Sequence, residues 1–172
     1  MCRDGILHAI EERRSVRRFS PEPVGPEILD ALVSAAHWAP SGMNNQPWRF
    51  VTIEKREVLD LLASFTKYSK ILNNCTGAIA VFIDTKSIYH REKDLQSIGA
   101  AVQNMLLAAH GLGVGACWLG EILNRRKEVE KTLKVDENLE LMAVVAVGFP
   151  EESELRAKRQ RLPLEKLIAG RF

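Results

Sequence analysis

The sequence has almost no excess of charge of either sign. Its 172 residues include 24 lysines and arginines and 22 aspartates and glutamates, which leaves a formal net charge of +2. Proteins that bind nucleic acids normally carry a basic surplus concentrated on one face, and no aromatic stacking platform for unpaired bases is evident here. The composition therefore argues against a nucleic-acid partner.

Cysteine and histidine are sparse, and neither is arranged as a site. Cys2, Cys75 and Cys117 are odd in number, widely separated and without a CxxC pair, which excludes a redox dithiol or a zinc knuckle. Free thiols of this kind suit a reducing cytoplasm. The four histidines show no HExxH or other ligand spacing, so we expect no metal. The sequence also has no GxSxG or Cys-His arrangement that would nominate a hydrolase nucleophile.

Long apolar runs are missing too. No stretch approaches the length of a transmembrane helix, and charged residues interrupt the apolar residues of the N-terminus, unlike the core of a signal peptide. With 46% hydrophobic and 27% charged residues, the composition is that of an ordinary globular protein. We expect a single domain over residues 1–172 that is soluble, cytoplasmic and without a membrane partner.

Helical and strand patterns alternate along the chain. Apolar residues at helical spacing predict helices, and short apolar runs rich in β-formers predict buried strands. The predicted helices cover residues 4–14, 26–36, 58–65, 95–112 and 125–133, and the predicted strands cover 48–53, 78–83, 116–119 and 141–147. This alternation predicts an α/β or α+β sheet covered by helices. The final segment, residues 162–172, is too short to fold alone and is expected to dock on another surface.

A glycine-rich stretch, Gly111-Leu-Gly-Val-Gly-Ala116, formally matches the dinucleotide fingerprint GxGxxG/A. That fingerprint requires a strand before it and a helix after it, so that the helix N-terminus meets the pyrophosphate. Here the predicted order is reversed. We therefore interpret the glycines as a helix C-cap and a tight turn into the next strand.

A basic run, Arg13-Arg-Ser-Val-Arg-Arg18, follows the first predicted helix. It is either a solvated patch that offsets the helix dipole, or a phosphate clamp, because the planar fork of arginine matches phosphate oxygens. A second run, Lys158-Arg-Gln-Arg161, is either a surface charge cluster or a remote half of the same clamp. The loop Pro40-Ser-Gly-Met-Asn-Asn-Gln-Pro-Trp48 is either an ordinary turn-rich connection or a rigid set of amides suited to a heteroaromatic ring.

Taken in order, these segments resemble the FMN-dependent nitroreductase family. The resemblance spans nearly the whole chain and is carried by Glu12-Arg-Arg-Ser-Val-Arg-Arg-Phe19, Pro23-Val24, the loop from Pro40 to Trp48, Ala108-Ala-His-Gly-Leu-Gly-Val-Gly115, Cys117-Trp-Leu-Gly120 and Arg161-Leu-Pro-Leu-Glu165. It implies an α+β fold with a central, mostly antiparallel sheet flanked by helices. It also implies an intertwined homodimer with two FMN molecules at the interface.

The resemblance also implies roles for individual residues. Arg13, Arg14 and Ser15 would contact the FMN phosphate, ribityl chain and ring edge, and Arg17 would lie near the flavin N1/O2 edge. The isoalloxazine would be lined by loop residues of the other subunit, namely Pro40, Ser41, Gly42 and Asn44. The backbone of Trp118, Leu119 and Gly120 would lie near N5, and Arg159 and Arg161 would complete the phosphate site. Larger relatives carry a glutamate beside the glycine near N5, whereas this chain has Leu119 before Gly120 and Glu121 after it.

The implied reaction is hydride transfer from NAD(P)H through the flavin to a small organic acceptor such as a nitroaromatic or a quinone, by ping-pong kinetics. Arg17, Leu119 and Gly120 are the predicted catalytic residues, and no dedicated acid or base is required. Two alternatives remain open at this point. The chain could be a specialised relative that performs flavin destruction, dehalogenation or enoate-like reduction, or a phosphate-ligand binding module without redox turnover.

Overall fold

The computed structural model describes residues 3–155 and 160–172, and its helices and strands alternate largely as the sequence predicts. The helices are α1 Arg3–Glu12, α2 Pro26–His37, α3 Arg56–Ala63, α4 Ser69–Asn74, α5 Arg91–Gly111, α6 Arg126–Leu133 and α7 Glu152–Leu155. The strands are β1 Trp48–Ile53, β2 Gly77–Asp84, β3 Gly115–Leu119 and β4 Leu139–Gly148. Short 3-10 turns cover Gly42–Asn44, Glu121–Arg125 and Leu164–Lys166.

The four strands form one sheet in the order β1-β2-β4-β3, and every pairing is antiparallel. The central strands β2 and β4 pair over most of their length, with Ala78 opposite Ala146 and Ala80 opposite Val144. Every residue of β2 is buried, because helices cover both faces of the sheet. The predicted α+β class with an antiparallel sheet flanked by helices is confirmed.

Alternate side chains of the central strands enter two separate cores. On one face, Ile79 and Val81 pack with the buried sides of α2 and α5. On the other face, Ala80 and Phe82 pack with α3, α4 and α6. The period-two alternation of a strand sends successive side chains to opposite faces, so one continuous apolar run supplies both cores. The sheet is thus the rigid base that positions the loops at its edges.

The structure also refines several predicted boundaries. The central helix α5 begins at Arg91, four residues before the predicted start, and α4 was not predicted. The glycine-rich stretch is a turn, as predicted: α5 ends at Gly111, Gly113 adopts φ +74° and β3 begins at Gly115. Among the described residues, no helix is both long and apolar enough to cross a bilayer. The side chains of the C-terminal segment, residues 160–172, are exposed.

Candidate active site

The arginine-rich segment runs in extended form along the edge strand β3 and past the end of β4. Val16 N donates to Ala116 O at 3.0 Å, and Ser20 N donates to Phe149 O at 2.8 Å. Between these bonds the side chains of Val16 and Phe19 are buried. The segment is therefore fixed by backbone pairing and two apolar anchors, while Arg17 and Arg18 between the anchors are exposed.

Two strand glycines leave room for those anchors. A Cβ placed on Gly115 would lie 2.7 Å from the Cβ of Val16, and one placed on Gly148 would lie 2.8 Å from Cδ1 of Phe19. Contacts below 3.0 Å are not tolerated without movement. Glycine at both positions thus allows the arginine segment to approach the sheet closely.

Glu154 of α7, which sequence reasoning missed, holds the same segment from the other side. Its carboxylate accepts from the Arg17 backbone N at 3.0 Å and from Arg18 Nε at 3.1 Å. Its backbone O accepts from Arg14 Nη1 at 2.9 Å. The Arg18 guanidinium is engaged by this carboxylate, whereas Arg17 Nη1 donates to the nearby Ser15 O at 3.3 Å. The contacts of Glu154 span more than 130 residues of sequence, so no local pattern could have indicated them.

The predicted phosphate-binding residues lie at the start of the segment. Arg14 lines a cavity of about 260 Å³ together with Glu12, His110 and the turn at Gly113 to Gly115. The Nε of Arg13 is buried and has no hydrogen-bond partner among the described residues. A buried cationic donor without a protein acceptor is costly unless a ligand or water satisfies it. Ser15 lies between these arginines and Arg17, and it is paired with Ala116 on β3.

A second cavity, of about 190 Å³, lies at the end of β3. It is lined by the predicted residues Arg17, Trp118, Leu119 and Gly120, and also by Cys117, Tyr68 and Ile71. The structure therefore brings together four of the residues that are expected near the flavin ring. Tyr68 and Ile71 belong to α4 and the residue before it, which the sequence analysis did not resolve as an element.

Cys117 does not have the character of a reactive thiol. Burial raises its pKa, the nearby Arg17 charge opposes that increase, and Glu154 adds to it. Reactive cysteines have a depressed pKa, so this thiol stays neutral. It serves as an apolar wall of the cavity.

Glu121, the residue that follows Gly120, is committed to a structural contact. One carboxylate oxygen accepts from Thr66 Oγ1 at 2.7 Å and from Lys67 N at 2.9 Å, and the other accepts from Asn124 Nδ2 at 3.2 Å. The bond from Thr66 contributes most to lowering the pKa of Glu121. Tyr68 N donates in turn to Thr66 Oγ1 at 3.2 Å. Glu121 thus holds the segment that carries Tyr68.

The amide-rich loop, Pro40 to Trp48, contributes to a third cavity. Pro40, Ser41 and Gly42 line a cavity of about 350 Å³ together with α5 residues, including Lys93, and with Tyr89 just before that helix. Asn44 is exposed on the same loop. Within one chain, this cavity and the Arg17 cavity have different linings. That separation agrees with the expectation that the loop completes the site of another subunit, which stays a prediction.

Of the second basic run, Lys158-Arg-Gln-Arg161, the structure describes only Gln160 and Arg161. Arg159 lies outside the described residues. Arg161 is exposed, and its Nη1 donates to the neighbouring Gln160 O at 3.0 Å. Its predicted meeting with Arg13 and Arg14 stays a prediction. Among residues 3–155 and 160–172, no group of three or more His, Cys, Asp or Glu side chains is placed to hold a metal ion.

Comparison with known proteins shows which family has this sequence pattern and this fold. The chain matches the Nitroreductase family over residues 10–74 and 64–149. A crystal structure from Desulfovibrio desulfuricans, described as a nitroreductase in complex with FMN, is 41% identical with a TM-score of 0.90, covering 96% of each chain. A structure described as an NADH oxidase from Clostridium acetobutylicum is 34% identical with a TM-score of 0.86, covering 95% of this chain and 99% of that one. A protein of Archaeoglobus fulgidus named as an NADH dehydrogenase/NAD(P)H nitroreductase is 35% identical over 151 residues, covering 86% of this chain and 87% of its own length.

Proposed function

This chain belongs to the nitroreductase family, and on that basis we propose that it binds FMN and transfers hydride from NAD(P)H to a small organic acceptor such as a nitroaromatic or a quinone. The relatives described as an NAD(P)H nitroreductase and an NADH oxidase support the reaction type. The relative described in complex with FMN supports the cofactor. We also propose that residues 1–172 act as a single domain.

The observation that carries the proposal is the convergence of Arg17 with Trp118, Leu119 and Gly120 on one cavity. FMN presents an anionic phosphate, a polar ribityl chain and a heteroaromatic ring. The unpartnered Nε of Arg13 fits the phosphate end, because it lacks an acceptor in the protein and arginine matches phosphate oxygens well. The cavity at the end of β3 combines a cation with apolar and aromatic walls, which fits the ring. The residues present therefore fit the cofactor.

Each group would have a defined task. A bound flavin supplies both the acceptance of hydride from a nicotinamide and its donation to an acceptor. The cationic guanidinium of Arg17 would stabilise negative charge that develops at the ring edge. Trp118, Leu119 and Gly120 would orient the ring through the end of β3. Cys117 is neutral and buried, and it takes no chemical step.

We propose that the active form is a homodimer. Apolar side chains of α1 are exposed in the single chain, with Ile6 and Leu7 each at 57%. The C-terminal segment exposes Leu162, Leu164 and Leu167 at 62–64%. Exposed apolar patches of this kind usually mark contact surfaces, and a second copy would cover them. It would also bring Ser41 and Gly42 to the cavity of its partner.

Spectroscopy and turnover together test the proposal. The purified protein should be yellow or should take up added FMN, and NAD(P)H should bleach the flavin band under anaerobic conditions. Addition of a quinone or a nitroaromatic should restore the band. A colourless protein that does not take up added FMN would contradict the proposal. Uptake of FMN without NAD(P)H oxidation would instead identify a phosphate-ligand binding module.

A further inference from the structure

The amide-rich loop has an unfavourable backbone conformation. Met43, Asn44 and Gln46 all have positive φ, at 54°, 55° and 46°. Residues with side chains rarely adopt this region, and such conformations persist only where the surroundings hold them. Three of them within four positions require a strong local restraint.

The restraint is a buried carboxylate in the first turn of α5. Asp94 is completely buried, and its Oδ1 accepts from Asn45 Nδ2 at 2.8 Å. Its Oδ2 accepts from the backbone N of Tyr89 and of His90, each at 3.0 Å. One side chain therefore joins the loop to the start of the helix. Burial opposes its ionisation, but these three donors outweigh burial and lower the pKa of Asp94, so it stays charged at neutral pH.

The orientation of Asn45 is fixed by its partners. Its Nδ2 also donates to Ser87 O at 3.0 Å, while its Oδ1 is buried without a hydrogen-bond partner among the described residues. A flipped amide would turn this oxygen toward both the Asp94 carboxylate and the Ser87 carbonyl, which would repel it. The amide group therefore acts as a double donor that ties residue 45 to two points.

The same helix start limits the space on the other side of the loop. A Cβ on Gly42 would lie 2.0 Å from Oη of Tyr89, and Lys93 Nζ lies 5.4 Å from the centroid of the Tyr89 ring. The loop is thus held at residue 45 by hydrogen bonds and at residue 42 by close packing. Ser41 adds a third contact, because its Oγ accepts from Gln46 N at 3.1 Å.

We propose that the Asp94–Asn45 pair positions the loop of residues 41–46 in the shape required to line the flavin. Neither residue reaches the reacting atoms in this role; both act through Ser41, Gly42 and Asn44. The inference rests on the proposed function, because the loop matters to catalysis only if a flavin is bound. It adds two positioning residues, Asn45 within the loop motif and Asp94 outside every sequence motif.

The pair is tested with Asp94→Asn, Asn45→Ala and the double variant. Asp94→Asn places one amide against another, and Asn45→Ala leaves a buried carboxylate oxygen without its donor. Each change should raise the Kd for FMN about tenfold or more, since an unsatisfied buried group is costly. The double variant should cost little more than either single change, because both remove the same restraint. Binding is measured by quenching of FMN fluorescence.

A second readout and a matched control separate positioning from general stability. Hydrogen exchange of the peptide covering residues 41–47 is followed in the full-length chain without added flavin, and it should become faster in both single variants. The control is Glu130→Gln. Glu130 is also buried, and its Oε1 accepts from Leu141 N at 3.0 Å in the opposite core. This control should lower the thermal stability while leaving the Kd for FMN within about twofold.

Each outcome decides the inference. Unchanged exchange of residues 41–47 would overturn it, and so would equal loss of FMN affinity in Asp94→Asn and Glu130→Gln. Strictly additive effects on FMN affinity in the double variant would also overturn it, because the two residues would then not act as one unit. If the wild-type chain itself bound no FMN, the proposed function would fail first, and this inference with it. That failure is recognisable because it appears before any substitution is made.

Discussion

The substitution Gly115→Ala tests whether the close approach of the arginine segment to the sheet matters for both stability and binding. The new Cβ would lie 2.7 Å from both Cβ and Cγ1 of Val16 and 2.9 Å from its Cγ2. A rotamer change cannot relieve the first contact, because the position of Cβ is set by the backbone. The Val16 backbone is in turn bonded to Ala116 at 3.0 Å. The segment must therefore move away from β3.

The expected cost follows from this geometry. Overpacking a well-packed core costs about 1–3 kcal/mol. For a domain of this size, each kcal/mol corresponds to about 2–4 °C in Tm, so the Tm should fall by about 2–12 °C. Arg14 and Arg17 flank Val16 and move with it, so the Kd for FMN should also rise by about tenfold. Thermal unfolding without added flavin and a fluorescence titration with FMN measure the two effects separately.

The matched control is Gly111→Ala. Gly111 is the last residue of α5, and a Cβ there would meet no described atom within 4 Å. Because glycine is entropically unfavourable in a helix, this alanine should leave stability unchanged or raise it by up to about 1 kcal/mol. A lower Tm for Gly115→Ala together with an unchanged or higher Tm for Gly111→Ala would support the reasoning. Equal Tm values for Gly115→Ala and wild type would refute it, and unchanged FMN affinity in a destabilised Gly115→Ala would separate the segment from the cofactor.

Three further predictions concern charged and buried groups. Arg17→Ala should weaken FMN retention and slow flavin reduction by about tenfold, because it removes a charged contact. Arg18→Ala removes an exposed ion pair with Glu154 and should change both quantities by less than about twofold. Equal flavin content and equal reduction rates in the two variants would contradict this prediction. Burial raises the pKa of Cys75 to about 11, so iodoacetamide at pH 8 should label it only after denaturation, and labelling of the native chain at this position, read by mass spectrometry, would count against it. Burial of Asp84 is outweighed by hydrogen bonds from Asn138 and other donors, which lower its pKa. Its contribution to stability should therefore be constant at neutral pH and be lost as the pH falls below about 4. Urea unfolding should show the stabilities of wild type and Asp84→Asn converging at low pH, and a gap independent of pH would be inconsistent with this cause.

Much of the fold can be predicted from local sequence patterns. The apolar runs that became β2 and β4 and the helical spacing that became α2 and α5 predict their elements because strand and helix periods depend only on neighbouring residues. The turn at Gly113 is equally local, since its positive φ requires glycine between a helix and a strand. The segments around Arg17 and Gly120 are predicted site residues through their resemblance to the nitroreductase family.

Tertiary structure alone decided how those segments meet. Glu154 holds Arg17 and Arg18, and Glu121 holds the loop before α4, across separations of more than 50 residues. Helix α5 begins earlier than its apolar pattern indicates, because the buried carboxylate of Asp94 accepts from the backbone amides of residues 89 and 90. Polar partnerships of this kind have no period along the chain. They form only when packing on the sheet brings distant residues together and excludes water, which makes an unpaired polar group costly.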